Sequence, residues 1–576
     1  MRRLKKYIKN NWIFFTLALS STLFSLILDM FNPKIVEQLI DKVIVKNNIA
    51  LLPKLLIILA IITISRAIFG YFREYFMDLG GSKLAAELRQ DLFTHLQKLS
   101  FSFFDSINTG ELMSRIKEDI ENIWFAFGFG IMLFFEQSLY FIIATIILLN
   151  INWELTFLVL LIMPIIGIIA YRLEVETDKV YGEISDQGVK MNTTAQEDIA
   201  GIRVVKSFAR EKYEIEKFLT QNQKNYQLNL KQAKILSRYS PWIDFLTNFA
   251  VALTITTGGI IVIKDKMSIG TLVAFSGYVS MLVWPMRMSG WLINILSQCK
   301  ASLGKIEKLF NKIPEIIDDK DAKDYEIKGH IIFKNVSFKY KNEYILHDIN
   351  FEVKPGKTLA IMGPTGSGKT TIINLIGRFY NPTMGKILID NNDITKIKLT
   401  SLRNSISYIP QDVFLFSDTV EENIRFGDNS ISEQDIINSL KISHAYNFVM
   451  KLPEKLKTVI GERGIGLSGG QKQRISIARA LARKSKILIM DDATSALDME
   501  TEYKIQKELR KIENLTKIII AHRISAVKDA DEIIVLDKGK IIERGTHETL
   551  LAKKGFYYNT YLEQYGKYFE VDEEVI

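Results

Sequence analysis

A phosphate-binding motif stands at residues 363–370, which read Gly363, Pro364, Thr365, Gly366, Ser367, Gly368, Lys369 and Thr370. This string fits the P-loop pattern G-x-x-x-x-G-K-[ST] at every fixed position. Glycines let the backbone wrap closely around phosphates, so that successive N–H groups point inward. In this pattern the ammonium of Lys369 reaches the β- and γ-phosphates, and the hydroxyl of Thr370 ligates Mg²⁺. On its own the motif predicts a nucleotide site and no particular reaction.

The residues on either side supply the context that a P-loop requires. A strand-like run at 358–362 precedes it, and a helix-like run beginning at Thr371 follows it. This order places the phosphates at the N-terminus of a helix, where the dipole and the free N–H groups favour anions. The pattern therefore predicts a P-loop α/β nucleotide-binding domain in the C-terminal half of the chain.

A second string narrows the class of protein. It reads Leu467, Ser468, Gly469, Gly470 and Gln471, about a hundred residues after the P-loop. Together the two strings resemble the ATP-binding cassette (ABC) family, in which two cassettes face each other and each supplies this second string, the signature, to the other's ATP. The resemblance to ABC exporters covers essentially the whole chain and implies that Ser468 and Gly470 bind the γ-phosphate of the opposite ATP.

The resemblance assigns further residues to the site of the chain's own ATP. Tyr340 matches the aromatic residue that stacks on adenine, and Gln411 matches the glutamine that contacts Mg²⁺ or the attacking water. Asp491 matches the Walker B carboxylate, which holds Mg²⁺ through its hydration shell. Asp498 belongs to a D-loop that crosses between cassettes, and His522 matches the switch histidine that contacts the γ-phosphate. Glu462 matches an acidic loop found in exporters.

One position departs from the family pattern. After the Walker B aspartate the family has a glutamate that polarises the attacking water, whereas this chain has Asp492. Aspartate is one methylene shorter, and a catalytic base must lie within about 2.6–3.2 Å of its water. The substitution favours a heterodimeric exporter in which this chain contributes the impaired site and an intact signature. A homodimer with slower turnover remains the alternative.

The N-terminal half predicts an all-α membrane domain. Six apolar stretches are each long enough for a hydrocarbon core about 30 Å thick; they lie at 13–36, 54–77, 124–150, 154–172, 242–264 and 269–293. The basic N-terminus and the Lys- and Arg-rich segments 83–120 and 172–240 indicate a cytoplasmic N-terminus and cytoplasmic long loops. The net charge of +9 is explained by this topology and by phosphate handling, so no nucleic-acid partner is expected.

The two long cytoplasmic segments, 83–123 and 173–240, show helical periodicity. Each is predicted to be a pair of helices that continue the membrane spans. By resemblance, the strings at 104–112 and 197–208 are coupling helices that touch the cassettes. Within the spans, Arg66 and Glu136 carry charges that are costly in a bilayer. They either pair with each other or line a cavity in which Glu136 meets a cationic substrate.

These observations predict a half-transporter of six long transmembrane helices with cytoplasmic extensions, fused to one cassette with a helical subdomain. The expected boundaries are a membrane domain at 1–310, a linker at 311–328, a cassette at 329–566 and an acidic tail at 567–576. The predicted function is export of an amphipathic or lipophilic small molecule or lipid across the cytoplasmic membrane, driven by ATP with Mg²⁺. The alternatives are a homodimeric lipid or peptide exporter and an ATP-gated regulatory or channel subunit.

Overall fold

The computed structural model describes residues 2–461, 464 and 466–573, without the side chains of residue 2 and residues 567–573. Glu462 lies outside the described residues, and so does the end of the predicted acidic tail. The chain divides into two compact units. One unit runs to Ile313 without Leu99–Ser106, and the other joins Leu99–Ser106 to the chain from Pro314 onward.

The first unit is helical. Its α-helices are α1 (Arg2–Asn10), α2 (Trp12–Gln38), α3 (Leu52–Leu96), α5 (Thr109–Ser114), α6 (Ile120–Phe125), α7 (Ile131–Ile151), α8 (Trp153–Ala200), α9 (Ile202–Ser207), α10 (Glu211–Ile263) and α11 (Ile269–Phe310), while α4 (Phe101–Ser106) belongs to the second unit. A π-helical segment at Leu39–Val45 extends α2, and π-helical turns at Arg115–Asp119 and Ala126–Gly130 join α5, α6 and α7 into one longer rod.

Six helical segments of the described chain are long and apolar enough to cross a membrane, as predicted. They are Trp12–Val45, Ile49–Leu96, Thr109–Ile151, Trp153–Ala200, Glu211–Ile263 and Ile269–Phe310. The longest α-helices, α8 and α10, contain 48 and 53 residues. At about 1.5 Å per residue each is more than twice as long as a ~30 Å hydrocarbon core is thick. The predicted helical continuations beyond the spans are therefore confirmed.

Polar side chains cap the helices that begin after two short connections, at Asn152 and at Ser268. Asn152 alone separates α7 from α8, and its side-chain oxygen accepts a hydrogen bond of 2.9 Å from the N–H of Leu155. Ser268 caps α11 in the same way, accepting from Thr271 at 3.0 Å. Such caps satisfy N–H groups that the first turn of a helix leaves without a partner. They explain why these helices begin where they do.

The second unit contains two sheets. Its strands are β1 (Ile331–Tyr340), β2 (Glu343–Val353), β3 (Thr358–Met362), β4 (Met384–Ile389), β5 (Asn392–Asp393), β6 (Ile406–Ile409), β7 (Ile487–Asp491), β8 (Thr516–Ile520), β9 (Glu532–Asp537) and β10 (Lys540–Gly545). The four-stranded antiparallel sheet has the order β2-β1-β4-β5, and the six-stranded sheet has the order β10-β9-β3-β8-β7-β6. In the larger sheet only the β9–β10 pair is antiparallel.

Helices complete this unit. They are α12 (Lys369–Ile376), α13 (Leu399–Asn404), α14 (Val420–Arg425), α15 (Glu433–Ile442), α16 (Tyr446–Val449), α17 (Gly469–Ala482), α18 (Met499–Arg510), α19 (Ile524–Val527), α20 (His547–Lys553) and α21 (Phe556–Glu573). Strands β7 and β8 are buried along their whole length, which is typical of parallel strands covered on both faces. A separate apolar core joins α14 to α17 and forms the predicted helical subdomain.

Two segments lie differently from the predicted boundaries. Leu99–Ser106 packs within the second unit, where the ring of Phe101 lies 4.5 Å from that of Phe379 and Tyr380 hydrogen-bonds Asp105. The string predicted at 104–112 is thus divided between the units, whereas 197–208 lies in the first. Most of the predicted linker also packs in the second unit, where the Arg378 guanidinium donates to the carbonyl of Ile317 at 3.0 Å.

Candidate nucleotide-binding site

The P-loop follows β3 and depends on glycine at two positions. Gly363 has φ +141°, and a Cβ there would lie 2.0 Å from the carbonyl oxygen of Leu536. Gly368 has φ +104°, and its Cβ would lie 2.6 Å from the side chain of Leu346. Helix α12 begins directly afterwards at Lys369. The free N–H groups of its first turn are therefore presented at the loop.

A buried cation and a buried hydroxyl lie in this loop. Lys369 is 7% exposed, and its ammonium donates to the carbonyls of Gly363 at 2.9 Å and Pro364 at 2.8 Å. Burial lowers the pKa of Lys369, against the opposing charges of Asp491 and Asp492. The Ser367 hydroxyl is buried and has no hydrogen-bond partner among the described residues. A glycine cradle with these two donors fits a polyphosphate.

Neighbouring strands bring the other predicted groups to the same edge of the sheet. The order β3-β8-β7-β6 is parallel throughout. Asp491 is the last residue of β7, while His522 and Gln411 follow the ends of β8 and β6 by two residues each. The carboxyl ends of parallel strands share one edge, where open α/β sheets bind their ligands. His522 and Gln411 are both exposed there.

Asp491 has the surroundings of a Mg²⁺ carboxylate. It is 4% exposed, and it accepts a hydrogen bond of 3.4 Å from the hydroxyl of Tyr408. Burial raises its pKa, whereas the interactions with Thr370, Tyr408 and Lys369 lower it. Thr370 and Asp491, two of the three metal ligands predicted from distant parts of the sequence, thus influence each other.

The backbone of Asp492 is held firmly. Its φ is +45°, and its N–H donates to the carbonyl of Ile520 at 2.9 Å. Its own carbonyl accepts from the N–H of Ser495 at 3.3 Å and from the Ser495 hydroxyl at 3.0 Å. The side chain is half-buried. Because these bonds hold the backbone of Asp492 in place, the length of its side chain decides how far the carboxylate extends from the main chain.

The signature string forms the start of α17. Ser468 caps the helix and forms a capping box with Gln471, whose side-chain oxygen accepts from the Ser468 N–H at 2.9 Å. Ser468 and Gly469 are exposed, and Leu467, Gly470 and Gln471 are half-buried. A Cβ on Gly470 would approach the carbonyl of Ala496 to 3.1 Å. The string therefore presents an exposed helix N-terminus, which suits an anionic ligand.

Two side chains not predicted from the sequence join the D-loop to its neighbours. The buried Gln473 accepts from the N–H of Ala496 at 3.1 Å and donates to the carbonyl of Asp492 at 3.5 Å. Arg523 donates to the carbonyls of Ser495 and Leu497, both at 3.2 Å. Both residues stand within or beside quoted motifs, but no spacing rule indicated these contacts.

The remaining predicted residues lie in other elements of this unit. Asp498 caps α18, accepting from the N–H of Thr501 at 2.8 Å. Tyr340 ends β1, and its ring meets those of Phe338 and Tyr380 edge-on, with centroids 4.7 and 5.2 Å away. The other loop positions divide by burial: Pro364, Thr365 and Gly366 are exposed, and Thr371 is buried on α12.

In the membrane unit, Arg66 and Glu136 do not pair with each other. Arg66 contacts Asp29 at 2.7 Å, and Glu136 contacts Arg73 at 2.5 Å. The predicted direct pair was wrong because Arg73 is two helical turns further along α3 than Arg66 and meets α7 at the level of Glu136. Tyr140, one turn after Glu136, donates to Asp29 at 2.7 Å. Both buried carboxylates are therefore satisfied within the bundle.

Comparison with known proteins identifies the family. The family model described as "ABC transporter transmembrane region" matches residues 15–286, and the one described as "ABC transporter" matches residues 346–495. The chain is 37% identical to the uncharacterized ABC transporter ATP-binding protein YknU of Bacillus subtilis over 98% of this chain and 97% of that protein. It belongs to the ABC transporter family.

Two further similarities come from a relative and a solved structure. The chain is 36% identical to an ATP-dependent lipid A-core flippase of Syntrophus aciditrophicus, over 94% of this chain and 90% of the flippase. A bacterial Atm1-family ABC exporter solved with ATP bound matches with a TM-score of 0.80 and 27% identity, over 97% of this chain and 99% of that one. This ABC transporter is accordingly a multi-pass protein of the cytoplasmic membrane with a cytoplasmic ATP-binding domain.

Proposed function

We propose that this chain is one half of an ATP-driven ABC exporter that moves an amphipathic or lipophilic substrate across the cytoplasmic membrane by alternating access. Its partner is a second, different half-transporter that carries the faster ATP site. The observation that supports this assignment is Asp492, placed directly after Asp491 in a chain whose signature string is complete.

The geometry supports slower hydrolysis when Asp492 stands in this position. Its backbone is bonded to Ile520 on one side and to Ser495 on the other, so the main chain has little freedom to advance a shorter side chain. The missing methylene withdraws the carboxylate by about one carbon–carbon bond, roughly 1.5 Å. A misplacement of about 1 Å costs on the order of a hundredfold in rate. Substitution at this single position thus separates ATP binding from ATP hydrolysis.

In this proposal, residues of the candidate site would hold ATP with Mg²⁺. Lys369 and the N–H groups at the start of α12 bind the phosphates, and Thr370, Asp491 and Gln411 provide oxygen donors for the metal. When bound, Mg²⁺ neutralises charge that develops on the phosphates. Tyr340 stacks on the adenine, and His522 contacts the γ-phosphate. In this proposal Asp492 holds its water too far from the reacting centre.

The signature string serves the other site. Ser468 and Gly470 stand at an exposed helix N-terminus that is capped by the chain itself. ATP bound to the partner's P-loop completes its phosphate contacts there. Closure of the two cassettes, passed on through the strings at 104–112 and 197–208, turns the cavity between the membrane halves outward. Phosphate release then resets the cycle.

The substrate class rests on two observations. The membrane unit spans the bilayer with six apolar segments, and a relative 36% identical to this chain is named as a lipid A-core flippase. Membrane lipids surround the domain and are also candidates for transport. The charged side chains Arg66 and Glu136, with their partners Asp29 and Arg73, are the polar groups that we assign to the substrate pathway.

Two variants separate a heterodimer from a homodimer. Ser468→Arg places bulk and charge where the opposite γ-phosphate binds, so it should lower steady-state ATPase of the purified complex about a hundredfold. Asp492→Asn affects only the slow site and should lower it less than twofold. Asp492→Glu, the matched control, restores the missing methylene and should leave the complex at least as active as the wild type.

In a homodimer every site uses both residues, so Ser468→Arg and Asp492→Asn should be similarly damaging. Equal, near-complete loss in both variants would refute the heterodimer. Mass spectrometry of the complex purified from its native membrane through a tag on this chain gives a second reading. A single species of subunit in that complex would contradict the proposal, whereas a second half-transporter would support it.

A further inference from the structure

The loop that carries His522 is clasped by one side chain from the C-terminal helix. Residues 521–523 lie between β8 and α19 and form neither helix nor strand. The amide nitrogen of Gln564 donates to the carbonyl of His522 at 2.7 Å, and its amide oxygen accepts from the N–H of Ile524 at 2.9 Å. The two bonds close a ring around the backbone on the C-terminal side of the histidine.

The clasp uses both polar groups of the Gln564 side-chain amide. A side-chain amide offers a donor and an acceptor on one planar unit, and here each meets the complementary main-chain group. The imidazole of His522 is exposed, and no hydrogen bond of this ring is found in the described structure. The position of the ring therefore depends on how firmly its backbone is held.

Helix α21 is well anchored, so Gln564 has a fixed base. Tyr557 is fully buried, and its hydroxyl hydrogen-bonds the ring of His547 at 2.7 Å. The Glu543 carboxylate accepts from the N–H groups at the start of the helix, those of Phe556 and, at 3.1 Å, Tyr557. Gln564 follows Tyr557 by seven residues, which is about two turns and the same face of the helix.

The same loop is tied on its other side to the D-loop. Arg523 donates to the carbonyls of Ser495 and Leu497 and lies 3.5 Å from the buried Glu502. The side chain of Arg523 and the main chain around it are thus restrained from two directions. Removing the Gln564 bonds leaves the Arg523 contacts and frees the backbone that carries the histidine.

We propose that Gln564 is a positioning residue: it holds the backbone at His522 so that the imidazole meets the γ-phosphate, and it thereby supports the slow hydrolysis that Asp492 still allows at this chain's own ATP site. This inference rests on the role proposed above for His522. It gives the C-terminal helix a part in the reaction, although the helix lies outside all the sequence motifs. Binding of ATP, which depends on the P-loop, should not need the clasp.

The test measures ATP hydrolysis at the P-loop of this chain separately from hydrolysis at the partner's site. The full complex is loaded with 8-azido-ATP labelled at either the α- or the γ-phosphate and crosslinked, and this chain is separated on a gel. Loss of γ-label relative to α-label reports hydrolysis at its own P-loop, whatever the partner does. Gln564→Ala should slow this loss about tenfold, while the amount of α-label changes less than twofold. Glu563→Ala, the exposed neighbour on the same helix, should leave both unchanged.

Two further variants distinguish positioning from general stability. Gln564→Glu keeps the acceptor for Ile524 and loses the donor to His522, so it should slow hydrolysis with an unchanged melting temperature. His522→Ala should slow hydrolysis strongly, and adding Gln564→Ala to it should cause no further loss, because the clasp acts through the histidine.

The possible outcomes distinguish a failure of the inference about Gln564 from a failure of the role proposed for His522. Normal hydrolysis in His522→Ala would overturn the role of the histidine and the inference with it. Slow hydrolysis in His522→Ala but a normal rate in Gln564→Ala would overturn the inference alone. Loss of α-label in Gln564→Ala, or additive losses in the double variant, would show a structural role instead and would also overturn it.

Discussion

The ion pair between Arg73 and Glu136 should be one of the strongest single determinants of stability in the membrane unit. Glu136 is 9% exposed, and Arg73 contacts it at 2.5 Å while also contacting Glu74 at 2.8 Å. The two partners are therefore unequal. Glu136 depends on Arg73, whereas Arg73 has a second carboxylate. Removing the arginine should cost more than removing the glutamate.

The magnitudes follow from this inequality. Arg73→Met leaves a buried carboxylate without a counter-charge, which costs about 3–5 kcal/mol. Glu136→Gln keeps an acceptor for the guanidinium and leaves the contact with Glu74, so we expect a cost of about 1–2 kcal/mol, the range for a single hydrogen bond. The double variant Arg73→Met, Glu136→Gln should recover about 2 kcal/mol relative to Arg73→Met alone, because no unpaired charge remains.

The same unit offers a matched control. Arg287 contacts Asp244 at 2.6 Å, but their side chains are 36% and 57% exposed. Both residues stand near the cytoplasmic ends of their predicted spans, where long charged side chains reach water. Pairs exposed to water contribute about 0–1 kcal/mol, so Arg287→Met should scarcely change stability. The free energy of unfolding would be measured by titration with sodium dodecyl sulfate in mixed micelles. A cost for Arg73→Met no larger than that for Arg287→Met would refute the reasoning, and so would a double variant no more stable than Arg73→Met.

The same variants address the substrate pathway. If Glu136 binds a cationic substrate, Glu136→Gln should weaken transport into vesicles while basal ATPase stays nearly intact. If the glutamate only pairs with Arg73, transport by the folded fraction should be unchanged. Full transport together with unchanged stability would exclude both roles.

The remaining predictions concern the P-loop. Lys369→Ala should abolish high-affinity ATP binding because it removes the buried ammonium of the loop; binding of a fluorescent ATP analogue to the purified chain measures this, and unchanged affinity would show that the loop is not the nucleotide cradle. Gly363→Ala should also abolish binding, since its Cβ would lie 2.0 Å from a main-chain oxygen. Gly427→Ala has a similarly positive φ of +78° but nothing within 4 Å; it should cost only about 1–2 kcal/mol of stability and should leave binding intact.

Local patterns predicted the strands and loops that carry the candidate nucleotide site. The P-loop, the Walker B strand and the switch histidine were each placed by a short string with its flanking strand, because a phosphate cradle must be built from a few consecutive residues. The six spans were predicted for a similar reason. A bilayer imposes one length on every crossing segment, so about 20 apolar residues are a sufficient signal.

Contacts between distant residues were not predictable in this way. Arg66 and Arg73 lie on one face of α3, and hydropathy does not reveal which of them reaches Glu136. That choice depends on the axial offset between α3 and α7, which tertiary packing sets. The contacts of Gln473 and Gln564 were not predictable, because glutamine is common and no sequence spacing distinguishes these two residues from others. Gln564 stands 42 residues from His522, beyond the reach of any local pattern.

The structure also suggests why a site with impaired hydrolysis would keep its backbone structure at the end of β7. Gln473 belongs to the signature helix α17, yet it bonds Ala496 of the D-loop and the carbonyl of Asp492. The backbone at the end of β7 therefore supports the same helix N-terminus that, in our proposal, completes the partner's ATP site. A change of backbone at Asp492 would disturb both sites. In the proposed heterodimer, loss of one methylene from its side chain would alter hydrolysis at one site only, and the support for the other would remain in place.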